Sequence, residues 1–422
     1  MPLPSTPEQR FDAYMNLLTA AIGHADRAEP LRDYCSGLLL PGERKSIEPM
    51  AARIDPHHVP RKHQSMHHFI ADAPWCDDSV MRAIIDYTLP IIETIEPIES
   101  WIIDDTGLPK KGKHSVGVAR QYCGRLGKQE NCQVLVTVSV AHSQASLPVA
   151  FRLYLPEAWA SDPERRSECG VPEHLWFQTK PTIAMSLIES LVERDLPRGV
   201  VLADAGYGND SLFRHQLTEL GLTYAVGVQS STTVWLSGMQ PHPGDNEKHS
   251  PVSVLKLALN AGEAAFAEIR WREGSSGVLA SRFWATRVVS AHHVPGRVGA
   301  AREEWLLVEW PEGVVEPTKF WLATLPEANT VRQLVHVAMM RWRIERDYEE
   351  LKSEIGLNHF EGRGWRGFHH HATMCIAAYA FLVAERGLFP PEEEARWNPF
   401  RPAVLPATYR PRGAARAVGA AR

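Results

Sequence analysis

The chain has 422 residues, 44% of them hydrophobic, with a formal net charge of -5 and a pI of about 6.4. This is enough apolar material for one large core with smaller domains attached. It is too little positive charge for a protein that coats nucleic acid by bulk electrostatics, although local basic patches remain open. No apolar run approaches the ~20 residues that span a bilayer, and Met1-Pro2-Leu3-Pro4-Ser5 lacks the basic and apolar segments of a secretory signal. A cytoplasmic protein with no membrane partner is expected.

Thr6-Pro7-Glu8-Gln9 reads as a helix start, with Thr6 as N-cap, Pro7 at the first helical position and Gln9 completing a capping box. Phe11, Tyr14, Met15, Leu18 and Ile22 then give a helical stripe. Further helical pieces follow around Glu43 to Ile54, Gln64 to Ala71 and Asp78 to Ile92, so residues 1–95 read as an all-helical domain. Arg44, Lys45, Arg53, Arg61, Lys62 and His63 give it a basic side. That side suits DNA binding through a helix-turn-helix-like element, or a merely solvated bundle. Cys35, Cys76, Cys123, Cys132, Cys169 and Cys375 form no C-x-x-C pair and read as free thiols, not as a disulfide framework or a zinc site.

Trp101-Ile102-Ile103-Asp104-Asp105-Thr106 is an apolar run ending in acids, as a buried strand does when it delivers side chains to its C-terminal edge. The following loop carries Lys110, Lys111, Lys113, His114, Arg120, Arg125 and Lys128 with no acid before Glu130. A patch of this kind beside a carboxylate pair suits a phosphate backbone, or is simply a soluble loop. Cys132 to Ala141 and Leu147 to Leu155 read as two more strands, antiparallel to each other and to the first. Pro181 to Glu193 reads as a helix, and Gly199 to Asp204 as another strand ending in an acid. Tyr224 to Val228 makes a short strand that closes a segment spanning 96–228.

From 229 to 330 the pattern turns β-rich, with strands expected over Phe266 to Trp271, Val278 to Val289 and Trp305 to Trp310. Its tryptophans read chiefly as packing residues. In the segment 331–385, Val337, Ile344, Tyr348, Leu351 and Ile355 predict one apolar stripe on an uninterrupted helix. At ~100° per residue, Arg341, Glu345, Glu349 and Lys352 fall together beside that stripe. This places a carboxylate between cations one turn before it and two turns after it. The run His369-His370-His371 reads as the polar start of a closing helix, and the Pro- and Arg-rich tail 386–422 as disordered.

Asp105 on a first strand, Asp204 on a later strand and Glu345 on a helix beyond a β-rich segment resemble the catalytic triad of the DDE transposases of bacterial insertion sequences. Arg341, Glu345 and Lys352 match the R-x3-E-x6-K part of the signature Y-x2-R-x3-E-x6-K of the cut-and-paste branch, with Ala338 at the position of its Tyr. Asp105-Thr106 and Asp204-Ala205-Gly206-Tyr207 match the segments around the two Asp residues, and Asp104 is a rival to Asp105, since strand alternation turns only one of them toward the site. The resemblance implies an α/β fold: a ribonuclease-H-like core interrupted by a β-rich insertion, with the helical domain in front. It implies Asp105, Asp204 and Glu345 as catalytic metal ligands for Mg²⁺, with Mn²⁺ substituting. It further implies Arg341, Lys352, Lys110, Lys111 and Lys113 on DNA phosphates. Trp342 would stack on a displaced base or pack in the core. The partners implied are double-stranded DNA at the element's terminal inverted repeats and target, and a second copy of the chain in a synaptic complex. A DNA-binding regulator with the same fold, or a metal-dependent nuclease on the same core, are the other readings of these residues.

Overall fold

The computed structural model describes residues 6–238, 250–274, 277–291 and 302–390. Five α-helices come first: α1 (Pro7–Ile22), α2 (Ala28–Leu39), α3 (Ile47–Ile54), α4 (Val59–Ala71) and α5 (Asp77–Glu93). α1 begins as its sequence predicts, with the Thr6 hydroxyl accepting from the Gln9 N–H and the Gln9 side chain accepting from the Thr6 N–H. It stops at Gly23, whose φ of 74° is left-handed.

The central sheet is built around β1 (Ser100–Pro109). β2 (Ala119–Cys123), β3 (Lys128–Ala141) and β4 (Ser146–Leu153) follow, then two short helices, α6 (Glu157–Ala160) and α7 (Pro163–Glu168), and the longer α8 (Lys180–Glu193). β5 (Val200–Ala203), α9 (Ala205–Gly208), α10 (Ser211–Glu219) and β6 (Tyr224–Val228) complete this part. β1 runs antiparallel to β3 and parallel to β5, and β5 runs parallel to β6. The strand order β4-β3-β1-β5-β6, with β1 in the middle, fits a ribonuclease-H-like core.

The β-rich segment joins this same sheet. It comprises β7 (Thr233–Leu236), β8 (Val252–Ser253), α11 (Val254–Ala261), β9 (Ala267–Gly274), β10 (Gly277–Ser290), β11 (Glu303–Glu309) and β12 (Lys319–Ala323). β12 pairs antiparallel with β6, and β11, β10, β7 and β8 continue outward, with β9 on β10. Trp310 and Trp321 are buried and Trp271, Trp284 and Trp305 pack against the apolar clusters, as the sequence reading of these rings expects.

The chain then forms α12 (Val331–Met339) and α13 (Trp342–Glu349), followed by a π-helical turn over Glu350–Ile355 and, last, α14 (Trp365–Leu388). The single uninterrupted helix expected through Val337 to Ile355 is therefore corrected. It breaks at Met340 and Arg341 and widens after Glu349, where no Gly or Pro announces a change before Gly356 in its left-handed conformation. The apolar stripe survives, with Ile344, Tyr348, Leu351 and Ile355 all buried. Residues 386–388 of the expected disordered tail still belong to α14, and 391–422 lie outside the described residues.

α14 is buried on nearly every side from Gly367 to Ala384 and shares one core with the N-terminal helices, whose Phe11 and Tyr14 rings meet Phe381. The Arg10 guanidinium adds a bidentate bond to Glu385. His369 to His371 are thus not a solvated helix start. All three are buried, because the helix carrying them runs through the core instead of along its surface. His371 accepts from the Tyr34 hydroxyl at 2.8 Å and lies 3.2 Å from the Gly356 carbonyl. Burial pushes His369 from 6.5 down to about 4 and His371 to about 3.

A depressed folded-state pKa means that the unfolded chain binds the extra proton first. The stability from these neutral rings is therefore complete above pH 6.5 and is lost as pH falls toward 4. A shift of this size at His369 is worth roughly 3 kcal/mol. Denaturant unfolding is expected to show a loss of several kcal/mol between pH 7 and 4.5, with a shallower dependence in His369→Phe. An equal pH slope in that variant would place the titrating group elsewhere.

Candidate active site

Strand alternation decides which acids meet. Ile102 on β1 is in register with Leu202 on β5, and both pack in one apolar cluster with Ile344 and Tyr348 of α13. Asp104 and Asp204 each stand two residues further on, so they emerge on the face that α13 covers. The cross-strand partner of Asp104 is Thr137, whose hydroxyl lies 2.6 Å from that of Tyr348. Asp105 follows Trp101 and Ile103, which belong to the opposite core, and turns toward α8. Asp104 therefore stands on the face that α13 covers and Asp105 on the face toward α8, while both line one cleft with Glu345.

Asp204 is held where the chain leaves β5. Its carboxylate caps α9, accepting from the Gly206 N–H at 2.8 Å. The turn packs tightly on β6, so that a Cβ at Gly208 would come within 2.0 Å of the Gly227 carbonyl oxygen. Glu345 of α13 lines the same cleft with 68% of its side chain exposed. Arg341 spans the gap, with one guanidinium nitrogen 3.0 Å from Asp104 Oδ2 and another 3.4 Å from Glu345 Oε1.

These groups line a cleft of about 1120 Å³ together with Asp105, Lys180, Tyr207, Tyr348 and Lys352. Burial pushes the Asp104 carboxyl up to about 7. Arg341 pulls against that rise, and the negative charges of Asp204 and Asp105 add to it. A partly desolvated group of carboxylates crowded on one sheet edge favours a cation among them. The donors are hard oxygens, the ligand type of divalent alkaline-earth ions. Among the described residues no three His, Cys, Asp or Glu side chains are drawn close enough to enclose a metal ion, and Arg341 and Lys180 supply the neutralising charge.

The other expected residues divide. Arg341 and Lys352 line the cleft, and the Lys352 ammonium lies 5.4 Å from the Tyr348 ring centre. Lys111 and Lys113 are exposed on their loop, but Lys110 is turned inward, donating to the Phe360 carbonyl, and burial lowers it to about 8. Lys110 thus anchors its loop, with its ammonium 5.8 Å from the Phe360 ring centre. Trp342 is half-buried beside Arg343, whose guanidinium lies 5.2 Å from its ring centre, and it is not among the residues that line the cleft. Ala338, at the position of the signature Tyr, is buried in the cluster beneath α12. Sequence reasoning missed Lys180 and Tyr207, both bonded to Asp105 across the fold. The Tyr207 signal was present in the quoted Asp204-Ala205-Gly206-Tyr207 segment. Lys180 carries none beyond its place at a helix start.

Among the described residues no helix is long and apolar enough to cross a membrane. The sequence matches the DDE superfamily endonuclease family over residues 17–278 and the transposase DDE domain over residues 180–381. DDE-type nucleases use divalent metal ions. A probable transposase for insertion sequence element IS701 from Microchaete diplosiphon is 26% identical over 361 residues, covering 85% of this chain and 83% of the relative. The cryo-EM structure of a piggyBac transposase synaptic complex with hairpin DNA aligns over 93% of this chain and 75% of that chain, at 11% identity and a TM-score of 0.32. The chain belongs to the DDE superfamily of endonucleases, as an enzyme of the DDE transposase type found in bacterial insertion sequences.

Proposed function

We propose that this transposase binds the terminal inverted repeats of its own element, pairs two ends as a homodimer, and cuts and rejoins DNA strands at a Mg²⁺ site formed by Asp104, Asp204 and Glu345. The observation that carries the reading is the shared face. Two acids stand two residues beyond a registered pair of strand residues, opposite a helix that presents a third. Asp104, Asp204 and Glu345 would hold the divalent ions, which would supply activation of the attacking hydroxyl and charge stabilisation at the leaving oxygen of a phosphoryl displacement. The protein's own part is to hold the acids on rigid elements. Arg341 and Lys352 offer cations to the phosphates beside the scissile bond. The helical segment at the N-terminus, where α3 and α4 are joined by the short Asp55–His58 turn and Arg61 is exposed on α4, suits the reading of the repeat.

The test is cleavage of labelled duplex carrying the DNA that flanks the gene. Nicking at the element boundary is expected with Mg²⁺ or Mn²⁺ and is expected to stop on addition of a chelator. Cleavage that persists in chelator would remove the metal from the mechanism. Sequence-specific binding with no nicking under any metal would favour a regulator built on the same fold.

A further inference from the structure

We infer that Lys180 is a further DNA-phosphate contact of the cleft, held in place by Asp105, on the wall opposite Arg341 and Lys352. This rests on the cleavage reading above but concerns residues that the reading leaves without a role.

Lys180 opens α8, directly after the N-cap Thr179. A cation at the first position of a helix adds to the positive end of the helix dipole, so helix stability alone disfavours it there. Its ammonium lies 3.0 Å from Asp105 Oδ2, and the Tyr207 hydroxyl donates to the same oxygen at 3.3 Å. It also lies 5.8 Å from the centre of the Tyr154 ring. Fixed by these groups, the side chain keeps 31% of its surface exposed and lines the cleft. An ammonium has three donors, and one carboxylate oxygen with a ring face uses only part of that capacity.

Asp105 is therefore not a spare acid. The alternation that sends Asp104 toward α13 sends Asp105 toward α8, where it fixes the direction of a cation. A sugar-phosphate backbone laid over Asp104 and Asp204 then meets Arg341 and Lys352 on one side and Lys180 on the other. Asp105 acts through Lys180 and is a positioning residue.

The experiment uses the full chain and the flanking-DNA duplex, with binding followed by fluorescence anisotropy over a range of salt concentration. Loss of one phosphate contact lowers the slope of log K against log[salt] by about 0.9. Lys180→Gln is expected to show that drop, and Lys180→Arg to restore the wild-type slope. An unchanged slope in Lys180→Gln overturns the contact. Asp105→Asn is expected to slow cleavage, and this loss is expected not to add to that of Lys180→Gln in the double variant, as for residues acting through one another. Additive losses overturn the positioning role. Mn²⁺ binding, read by electron paramagnetic resonance without DNA, is expected to survive in Asp105→Asn and Lys180→Gln. Its loss in Asp105→Asn would make Asp105 a ligand and end this assignment. Retained Mn²⁺ binding in Glu345→Gln would instead sink the metal-site reading, whatever the salt slopes show.

Discussion

Asp104→Asn is expected to lower metal-dependent strand cleavage by ~10³-fold or more, a loss of about 4 kcal/mol of transition-state stabilisation. Glu345→Gln is expected to match it, while Asp105→Asn loses about tenfold, the scale of a misdirected cation. The expectation follows from the two faces of β1. Ile102 and Leu202 lie together under Ile344 and Tyr348, and the next residues on that face are Asp104 and Asp204. Asp104 is also the acid that Arg341 ties to Glu345, and the one whose carboxyl responds to Asp204. Single-turnover cleavage in Mg²⁺ and Mn²⁺ separates the candidates, provided each variant melts within a few degrees of the wild type. If Asp105→Asn were dead and Asp104→Asn active, the acid adjoining Thr106 would be the ligand and the face assignment of β1 would be reversed.

The sequence could not settle this choice, and the reason is local. A half-buried strand announces its faces by alternating apolar and polar residues, but Trp101, Ile102 and Ile103 are apolar on both faces, because β1 is buried on both. The motif around Asp105 and Thr106 was read in place of the missing alternation. The Glu345 helix was legible because its stripe and its charged strip repeat with the helical period. Its break at Arg341 and its π turn were not, since neither involves Gly or Pro. Charge counting gave Lys110 and Lys111 the same weight, although Phe360, 250 residues away, draws only the first inward. Lys180 was silent for the same kind of reason, as its partner lies 75 residues earlier on another element. Most strands of the ribonuclease-H-like part and helices such as α1, α5 and α8 were readable from periodicity and caps, whereas β2 lies inside the stretch that reads as a basic loop and the twelve-residue α2 has no counterpart in the sequence reading. β7, β8 and β12, at two to five residues, have no counterpart there either, although β5 and β6 are just as short and were read, so length alone does not separate them. The three histidines misled by their chemistry, although Phe368, Ala372 and Met374 around them mark a helix with no polar side.

Asp347→Ala is expected to destabilise the protein by about 3–5 kcal/mol and to lower its melting temperature by several degrees. Asp347 lies two residues beyond Glu345 on α13, on the buried side of the helix. Its Oδ1 accepts from the Ser146 hydroxyl of β4 at 2.6 Å and from the Tyr379 hydroxyl of α14 at 2.8 Å. Burial pushes its carboxyl up to about 6, against the opposing pull of those hydroxyls and of Arg343, and the Arg343 guanidinium is itself lowered by burial to about 10. Removing the carboxylate leaves two hydroxyls without their acceptor and a buried cation without its nearest counter-charge. Tyr379→Phe removes only one of these bonds and is expected to cost about 1 kcal/mol. Asp347→Asn keeps an acceptor for both hydroxyls and is expected to fall between the two. A cost for Asp347→Ala no larger than that of Tyr379→Phe would mean that the carboxylate contributes no more than one neutral hydrogen bond. The consequence reaches the cleft, because this anchor fixes the position of α13 on the sheet, and Arg341 and Glu345 move with it. A displacement of ~1 Å at a reacting centre costs on the order of 10²-fold in rate. Asp347→Asn, assayed at a temperature where it is fully folded, is therefore expected to cleave more slowly than its remaining stability accounts for. Wild-type cleavage in that variant would show that α14 and the sheet hold the helix without this contact.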